Sequence, residues 1–222
     1  MRWHRSRALL FAGSLLAGSC GDRGEPVGAG AAGAEAPVPD PGGAAEVRAA
    51  PAVGVVMPDE ELVDQDGAPV RLRELSKDRV VAVNFIFTAC TTICSPMTAL
   101  FGRLQAELGD ALERDVRLVS ISLDPAVDTP ERLKRYADRF DRRRGWVFLT
   151  GRRERVARVL EALGGRAPVK ERHTPVTLIG RPAEGRWTRV DGIASPGRLA
   201  EEIRALLPAG PGGTARGAWW SP

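Results

Sequence analysis

Residues 80–87 read Val-Val-Ala-Val-Asn-Phe-Ile-Phe, an almost unbroken run of apolar, mostly β-branched and aromatic side chains. A strand with one wet face alternates apolar and polar positions, so this run predicts a strand covered on both faces of a sheet. Met97, Leu100, Phe101, Leu104 and Leu108 then recur at helical spacing, and Gly109 closes that helix. Residues 116–123 predict a second strand. Thr129-Pro130-Glu131 supplies a capping residue and a first-turn proline for a helix whose buried stripe is Leu133, Tyr136, Ala137 and Phe140. Residues 146–149 predict a third strand, and Val156, Val159, Leu160 and Leu163 mark another helical face. Residues 176–179 are a further strand with 187–190 as its hairpin partner, and Leu199, Ile203, Leu206 and Leu207 outline a last helix. Ahead of all these, residues 62–72 place the turn signal Asp66-Gly67 between two short extended pieces, an N-terminal β-hairpin. Strands alternating with helices predict an α/β sandwich, a central mixed sheet flanked by helices, with right-handed crossovers.

Both ends of the 222-residue chain lack this pattern. Residues 1–19 carry Arg2, Arg5 and Arg7, then a short apolar run, then Ala17-Gly18-Ser19 directly before Cys20. That is the layout of a secretory signal. The apolar run, residues 8–17, is about half the ~20 residues needed to span a bilayer, so cleavage is expected rather than a permanent anchor. Leu15-Leu16-Ala17-Gly18-Ser19-Cys20 resembles a bacterial lipobox, which makes Cys20 the expected lipidation site and the membrane the expected tether. Residues 20–56 are rich in Gly, Ala and Pro without periodicity and are expected to act as a flexible tether. One domain is expected over residues 57–208, followed by a frayed tail at 209–222. Of the 32 basic residues three lie in the leader, which leaves 29 against 28 acidic ones. The basic balance is therefore mostly the leader's, and no nucleic acid is expected as partner.

After the first core strand the chain reads Thr88-Ala89-Cys90-Thr91-Thr92-Ile93-Cys94-Ser95-Pro96. Pro96 suits a first helical turn, which puts both cysteines at or just before a helix N-terminus, where amide groups and the helix dipole favour thiolate. A purely structural disulfide is the plainer reading of the pair. It would close too short a loop to restrict the unfolded chain much, and strand C-terminal ends facing helix N-termini are where α/β folds place their sites. Asp124, just past the second strand, stands either as a support of this site or as an ordinary turn residue.

Cys-x-x-x-Cys after a strand, then Ser122-Leu123-Asp124-Pro125 with Asp128-Thr129-Pro130-Glu131, then His173 before an apolar strand, resembles the Sco/SenC family of cytochrome oxidase copper-assembly proteins. The resemblance covers roughly residues 57–207. It implies a thioredoxin-like fold, a copper site made by Cys90, Cys94 and His173, and the task of delivering copper to the binuclear copper centre of cytochrome oxidase or reducing its thiols. Pro175, close after His173, stands where thioredoxin-like sites have a cis-proline. The sequence departs from the family's usual pattern at Thr91 and Ser95, where proline is common, and at Arg172, where an aspartate often precedes the histidine. Donor chemistry points the same way, because two thiolates and one imidazole suit Cu(I) and also hold Cu(II), whereas structural zinc takes four ligands. The expected protein is an exported, membrane-anchored copper carrier more than an enzyme. A thiol-disulfide oxidoreductase using the same two cysteines without stable metal is the alternative. A thiol peroxidase activated by a basic residue such as Arg103 or Arg117 is a third reading.

Overall fold

A computed structural model describes residues 47–90, 93–166 and 174–208. The elements follow in the order β1 (Arg48–Pro51), β2 (Glu61–Asp64), β3 (Pro69–Arg71), α1 (Leu72–Ser76), β4 (Val80–Ile86), α2 (Cys94–Leu108), the short turn α3 (Ala111–Arg114) and β5 (Val116–Ser122). They continue with α4 (Pro130–Asp138), β6 (Trp146–Thr150), α5 (Arg153–Ala162), β7 (Val176–Arg181), a 3-10 turn at Pro182–Glu184, β8 (Arg186–Asp191) and α6 (Pro196–Arg204). The strands form one eight-stranded mixed sheet in the order β1-β8-β7-β4-β5-β6-β2-β3. Strands β4, β5 and β6 run parallel, and the other neighbours pair antiparallel.

The fully buried β4 lies at the centre, as its unbroken apolar run predicts. The pleat sends Val80, Ala82 and Ile86 to one face and Val81, Val83 and Phe85 to the other. The first face packs on Phe101 and Leu104 of α2, Leu133 and Tyr136 of α4, and Leu199 and Ile203 of α6. The second packs on Val156, Val159 and Leu160 of α5 and on Leu72. Helices thus cover both faces of a mixed sheet, the thioredoxin-like sandwich that the alternation of patterns predicts.

Local signals place the elements that shape the site. The Thr129 side chain caps α4 by accepting from the Arg132 amide at 3.3 Å, with Pro130 in the first turn. Ser195 and Pro196 do the same for α6. Gly109 ends α2 at φ +49°, where a β-carbon would be strained. The expected hairpin forms as β2–β3 and joins the sheet beyond β6, with Val63 opposite Thr150. The sheet also begins ahead of Met57, because β1 pairs along β8 from Arg48 opposite Asp191 to Pro51 opposite Thr188.

Candidate thiol and metal site

Strand β4 ends at Ile86, and the chain turns at once, the Cys90 amide donating to the Phe87 carbonyl at 3.1 Å. Helix α2 begins at Cys94 itself, two residues before the proline that marks its first turn. Both cysteines are thiols and both are buried, Cys94 almost completely at 1% exposure and Cys90 at 8%. The Cys94 amide points at the Cys90 sulfur, 3.4 Å away. The two side chains therefore share one turn at the C-terminal end of the central strand. Burial pushes the Cys94 thiol up to about 12; the Phe87 backbone opposes the rise and Cys90 adds to it. This corrects the expectation that the helix N-terminus favours thiolate at both positions. Cys94 is part of the buried core that includes Phe101 and Ile86, where loss of water outweighs the partial charge of the helix end.

The turn is held from below by an aspartate that the sequence reading used only as part of a family motif. Asp128 is completely buried. Its carboxylate accepts from the Thr88 amide at 3.2 and 3.3 Å, from the Thr88 hydroxyl at 2.5 Å and from the Ser122 hydroxyl at 2.6 Å. One side chain thereby ties the exit of β4 to the exit of β5. The loop is built for it: the Asp124 carbonyl accepts from the amides of Val127 and Asp128 at 3.0 and 2.9 Å, folding Asp128 inward. The half-buried Asp124 contributes this turn through its backbone, and its own amide donates to Ser122 Oγ at 3.0 Å. The signal for Asp128 was a serine closing an apolar strand, followed six residues later by an acid just ahead of a helix cap.

An open cavity of about 310 Å³ adjoins the turn, lined by Thr88, Arg132, Arg135, Tyr136 and Arg139. Arg132 Nε donates to Thr88 Oγ1 at 2.7 Å. The hydroxyl of Tyr136 lies 2.9 Å from Thr98 Oγ1, which donates to the Cys94 carbonyl at 2.7 Å. Burial raises the Tyr136 hydroxyl above the usual phenol range.

His173 and Cys20 lie outside the described residues, as do Thr91, Thr92 and Arg172. The strand that follows His173 is described. Thr177 of β7 stands opposite Asn84 of β4, and the Pro175 carbonyl accepts from the Gly192 amide at 2.9 Å. That strand therefore starts at the sheet end where β4 exits. Among the described residues no cluster of three His, Cys, Asp or Glu side chains is placed to hold a metal, and no helix is long and apolar enough to cross a membrane. Arg117 lies at the start of β5, the opposite end of the sheet from the cysteines, and Arg103 is exposed on α2.

The SCO1/SenC family model matches residues 51–207, most of the chain. A Stutzerimonas stutzeri protein, provisionally named as copper-binding, is 43% identical over 112 residues, which make up 49% of this chain and 52% of the relative. The chain spans about half the length of the curated relatives it matches, 52% and 45%. Among solved structures, a SCO1/SenC family lipoprotein from Bacillus anthracis str. Ames shares 26% identity at a TM-score of 0.58, over 70% of this chain and 96% of that one. BsSco is described as a member of the Sco family of cytochrome c oxidase assembly proteins and as having a disulfide switch. It shares 29% identity at a TM-score of 0.58, over 69% of this chain and 94% of that one. With the thioredoxin-like sheet, the cysteine turn at its central strand and a family match over residues 51–207, the chain belongs to the SCO1/SenC family.

Proposed function

We propose that this chain is a copper-binding assembly factor for cytochrome c oxidase, carrying one copper ion on Cys90, Cys94 and His173. The observation that supports this most directly is the pairing of two sulfurs in one buried turn, with the Cys94 amide 3.4 Å from the Cys90 sulfur. The donor set around it is soft. The nearby Asp128 carboxylate is taken up by Thr88 and Ser122, so the turn offers sulfur rather than the oxygen ligands that calcium or magnesium needs. His173, three residues ahead of β7, supplies the third ligand in this reading, and Asp124 supports the rim. Cys94 is a thiol in the folded protein and gives up its proton for its sulfur to act as a ligand, so loading releases protons. The copper-binding name of the Stutzerimonas relative and the cytochrome c oxidase assembly family of BsSco agree with this reading.

The same two thiols also suit exchange with a partner's disulfide, and reductant and carrier roles are compatible because the sulfurs must be reduced before they take copper. A peroxidase is disfavoured by the placement of Arg117 at the far end of the sheet. In this proposal the protein is exported and held at a membrane by lipid on Cys20, facing the periplasm or another extracytoplasmic space. The leader pattern supports that, and the Bacillus anthracis relative is itself described as a lipoprotein.

Titration of the reduced full-length protein with Cu(I) and Cu(II) tests the reading. One equivalent should bind tightly, with thiolate-to-Cu(II) charge-transfer absorption. Cys90→Ser and Cys94→Ser should each lose most of the affinity, and His173→Ala should weaken Cu(II) more than Cu(I). Binding no tighter than that of the Cys90→Ser/Cys94→Ser protein would leave the oxidoreductase as the function.

A further inference from the structure

Three arginines occupy one face of α4 and its C-terminal cap: Arg132, Arg135 and Arg139, spaced three and four residues apart. With Thr88 and Tyr136 they line the cavity beside the cysteine turn, and they span about 10 Å at 1.5 Å per residue. Arg135 and Arg139 are exposed, and Arg132 is half-buried against Thr88. The Arg139 guanidinium stacks 4.6 Å above the Tyr136 ring, which fixes its direction. Among the described residues these three form no ion pair with a carboxylate, whereas the neighbouring Lys134 and Arg142 are both paired with Asp66. Glu131 is the acid that Arg135 influences, and it is exposed. A row of cations thus flanks a site in which the Asp128 carboxylate is buried and taken up by Thr88 and Ser122.

The geometry points to a docking groove for an acidic, extended segment of the protein with which Cys90 and Cys94 exchange metal or electrons. The inference rests on the reading that the cysteine pair serves a protein partner. One carboxylate or small anion needs one guanidinium or two, not a row of three. Acidic residues at alternate positions of an extended segment are about 7 Å apart, so two of them fit along the ~10 Å row within reach of the long arginine side chains. Guanidinium groups take carboxylates in paired hydrogen bonds, and a pre-set arginine loses less freedom on binding. A nucleic acid is the poorer occupant, because outside the leader the chain balances 29 basic against 28 acidic residues. Charges of this kind act mainly on encounter rate and register.

The probe for the test is a synthetic peptide with alternating aspartates, fluorescein-labelled and free of cysteine, compared with a twin carrying asparagines. Fluorescence anisotropy against the reduced full-length protein at low ionic strength should show binding of the aspartate peptide that weakens with salt. Arg135→Glu/Arg139→Glu should weaken it at least about tenfold. Arg73→Glu/Lys77→Glu, on α1 and its C-terminal cap near the entry of β4, should not. A second form of the peptide carries one cysteine as its mixed disulfide with thionitrobenzoate. A protein sulfur attacks that disulfide and expels thionitrobenzoate, and the second cysteine then displaces the peptide thiol. Two protein thiols become one disulfide, the probe disulfide becomes the peptide thiol and the thionitrobenzoate thiolate, and one proton is released at neutral pH. The aspartate form should react about tenfold faster than its asparagine twin with the parent, and that ratio should be lost with Arg135→Glu/Arg139→Glu. Equal anisotropy for parent and Arg135→Glu/Arg139→Glu overturns the groove, as does an equal loss in Arg73→Glu/Lys77→Glu. Displacement of the peptide by phosphate but not by acetate at matched ionic strength would assign the groove to a phosphate group, and overturns it too. Copper failing to bind the parent overturns the reading of the cysteine site and leaves the anisotropy comparison to decide the groove.

Discussion

Asp128→Ala removes the acceptor that joins the exits of β4 and β5, and its cost can be worked out donor by donor. The carboxylate takes two hydroxyl donors, from Thr88 and Ser122, and one shared amide from Thr88. Hydrogen bonds to an ionised group are each worth about 1.5 to 3 kcal/mol, and a buried donor left without an acceptor costs about 1 to 3. Ser122 is completely buried and cannot turn to water; Thr88 is half-buried and recovers part of its loss. Taking ~2 kcal/mol for each hydroxyl and ~1 for the shared amide gives ~5, and water at Thr88 lowers it to about 3 to 5 kcal/mol. Domains of this kind have only about 5 to 15 kcal/mol to lose. Urea unfolding of the reduced protein, followed through the buried Trp146 and Trp187, should show a midpoint lower by about 2 M at a slope near ~2 kcal/mol per M. Asp128→Asn keeps one acceptor and should fall between the two. Thr88→Val combined with Asp128→Asn should cost clearly less than the sum of the single changes, because both remove the same bonds. Alkylation of Cys90 should also quicken in Asp128→Ala, since the turn above Thr88 is no longer held. A midpoint within ~0.5 M of the parent, or strict additivity in the cycle, would refute the view that Asp128 fixes the thiol turn.

The pH dependence of stability follows from burial of Cys94. Its folded pKa of about 12 stands above the ordinary thiol value of 9.0, so its contribution is complete below about pH 9 and is lost as pH rises toward 12. The urea midpoint of the reduced protein should fall over that window, and the fall should be shallower in Cys94→Ser. Tyr136 is also raised by burial and acts in the same direction, so Tyr136→Phe is the control; an unchanged profile in Cys94→Ser would refute the assignment. At the acid end, Glu60 is lowered chiefly by its hydrogen bond from Arg158 and Asp66 chiefly by its bond from Lys134. These contributions are present above the ordinary carboxylate range and lost as pH falls through the depressed values, and because both pairs are exposed, Glu60→Gln and Asp66→Asn should flatten the acid limb only slightly. Gly180 faces Trp187 across β7 and β8, and a β-carbon there would fall 2.2 Å from the indole. Gly180→Ala should cost about 1 to 3 kcal/mol and alter the near-ultraviolet dichroism of Trp187, and Trp187→Val should remove most of that penalty. A neutral Gly180→Ala would show that the indole moves freely.

Periodicity made most of the fold legible because it reports which face of an element is dry. β4, with all seven residues buried, and α4, with its Leu133, Tyr136 and Ala137 stripe, stand where their patterns put them. What pattern does not carry is partnership between backbones. The Arg-Ala-Ala-Pro of β1 has no alternation to read, and it belongs to the sheet through its ladder to β8 alone. The same limit governs the site. Spacing put Cys90 and Cys94 in one turn, but a shift of two residues in the start of α2 decides whether Cys94 caps the helix in water or packs into the core, and it packs. Spacing likewise named Asp124 and gave Asp128 only as part of a motif. Asp128 gains its place from the turn, in which the Asp124 carbonyl takes the Asp128 amide and swings the later carboxylate under Thr88. That turn also sets the start of α4, because Thr129 caps the helix directly after Asp128. The Arg132 of that helix reaches back to the same Thr88 hydroxyl. The thiol turn and the arginine face are therefore positioned by one set of bonds centred on Thr88. A contact that moves α4 bears on the cysteine turn through the bond from Arg132 to Thr88 and through Tyr136 and Thr98 to the Cys94 carbonyl, rather than through the whole sheet.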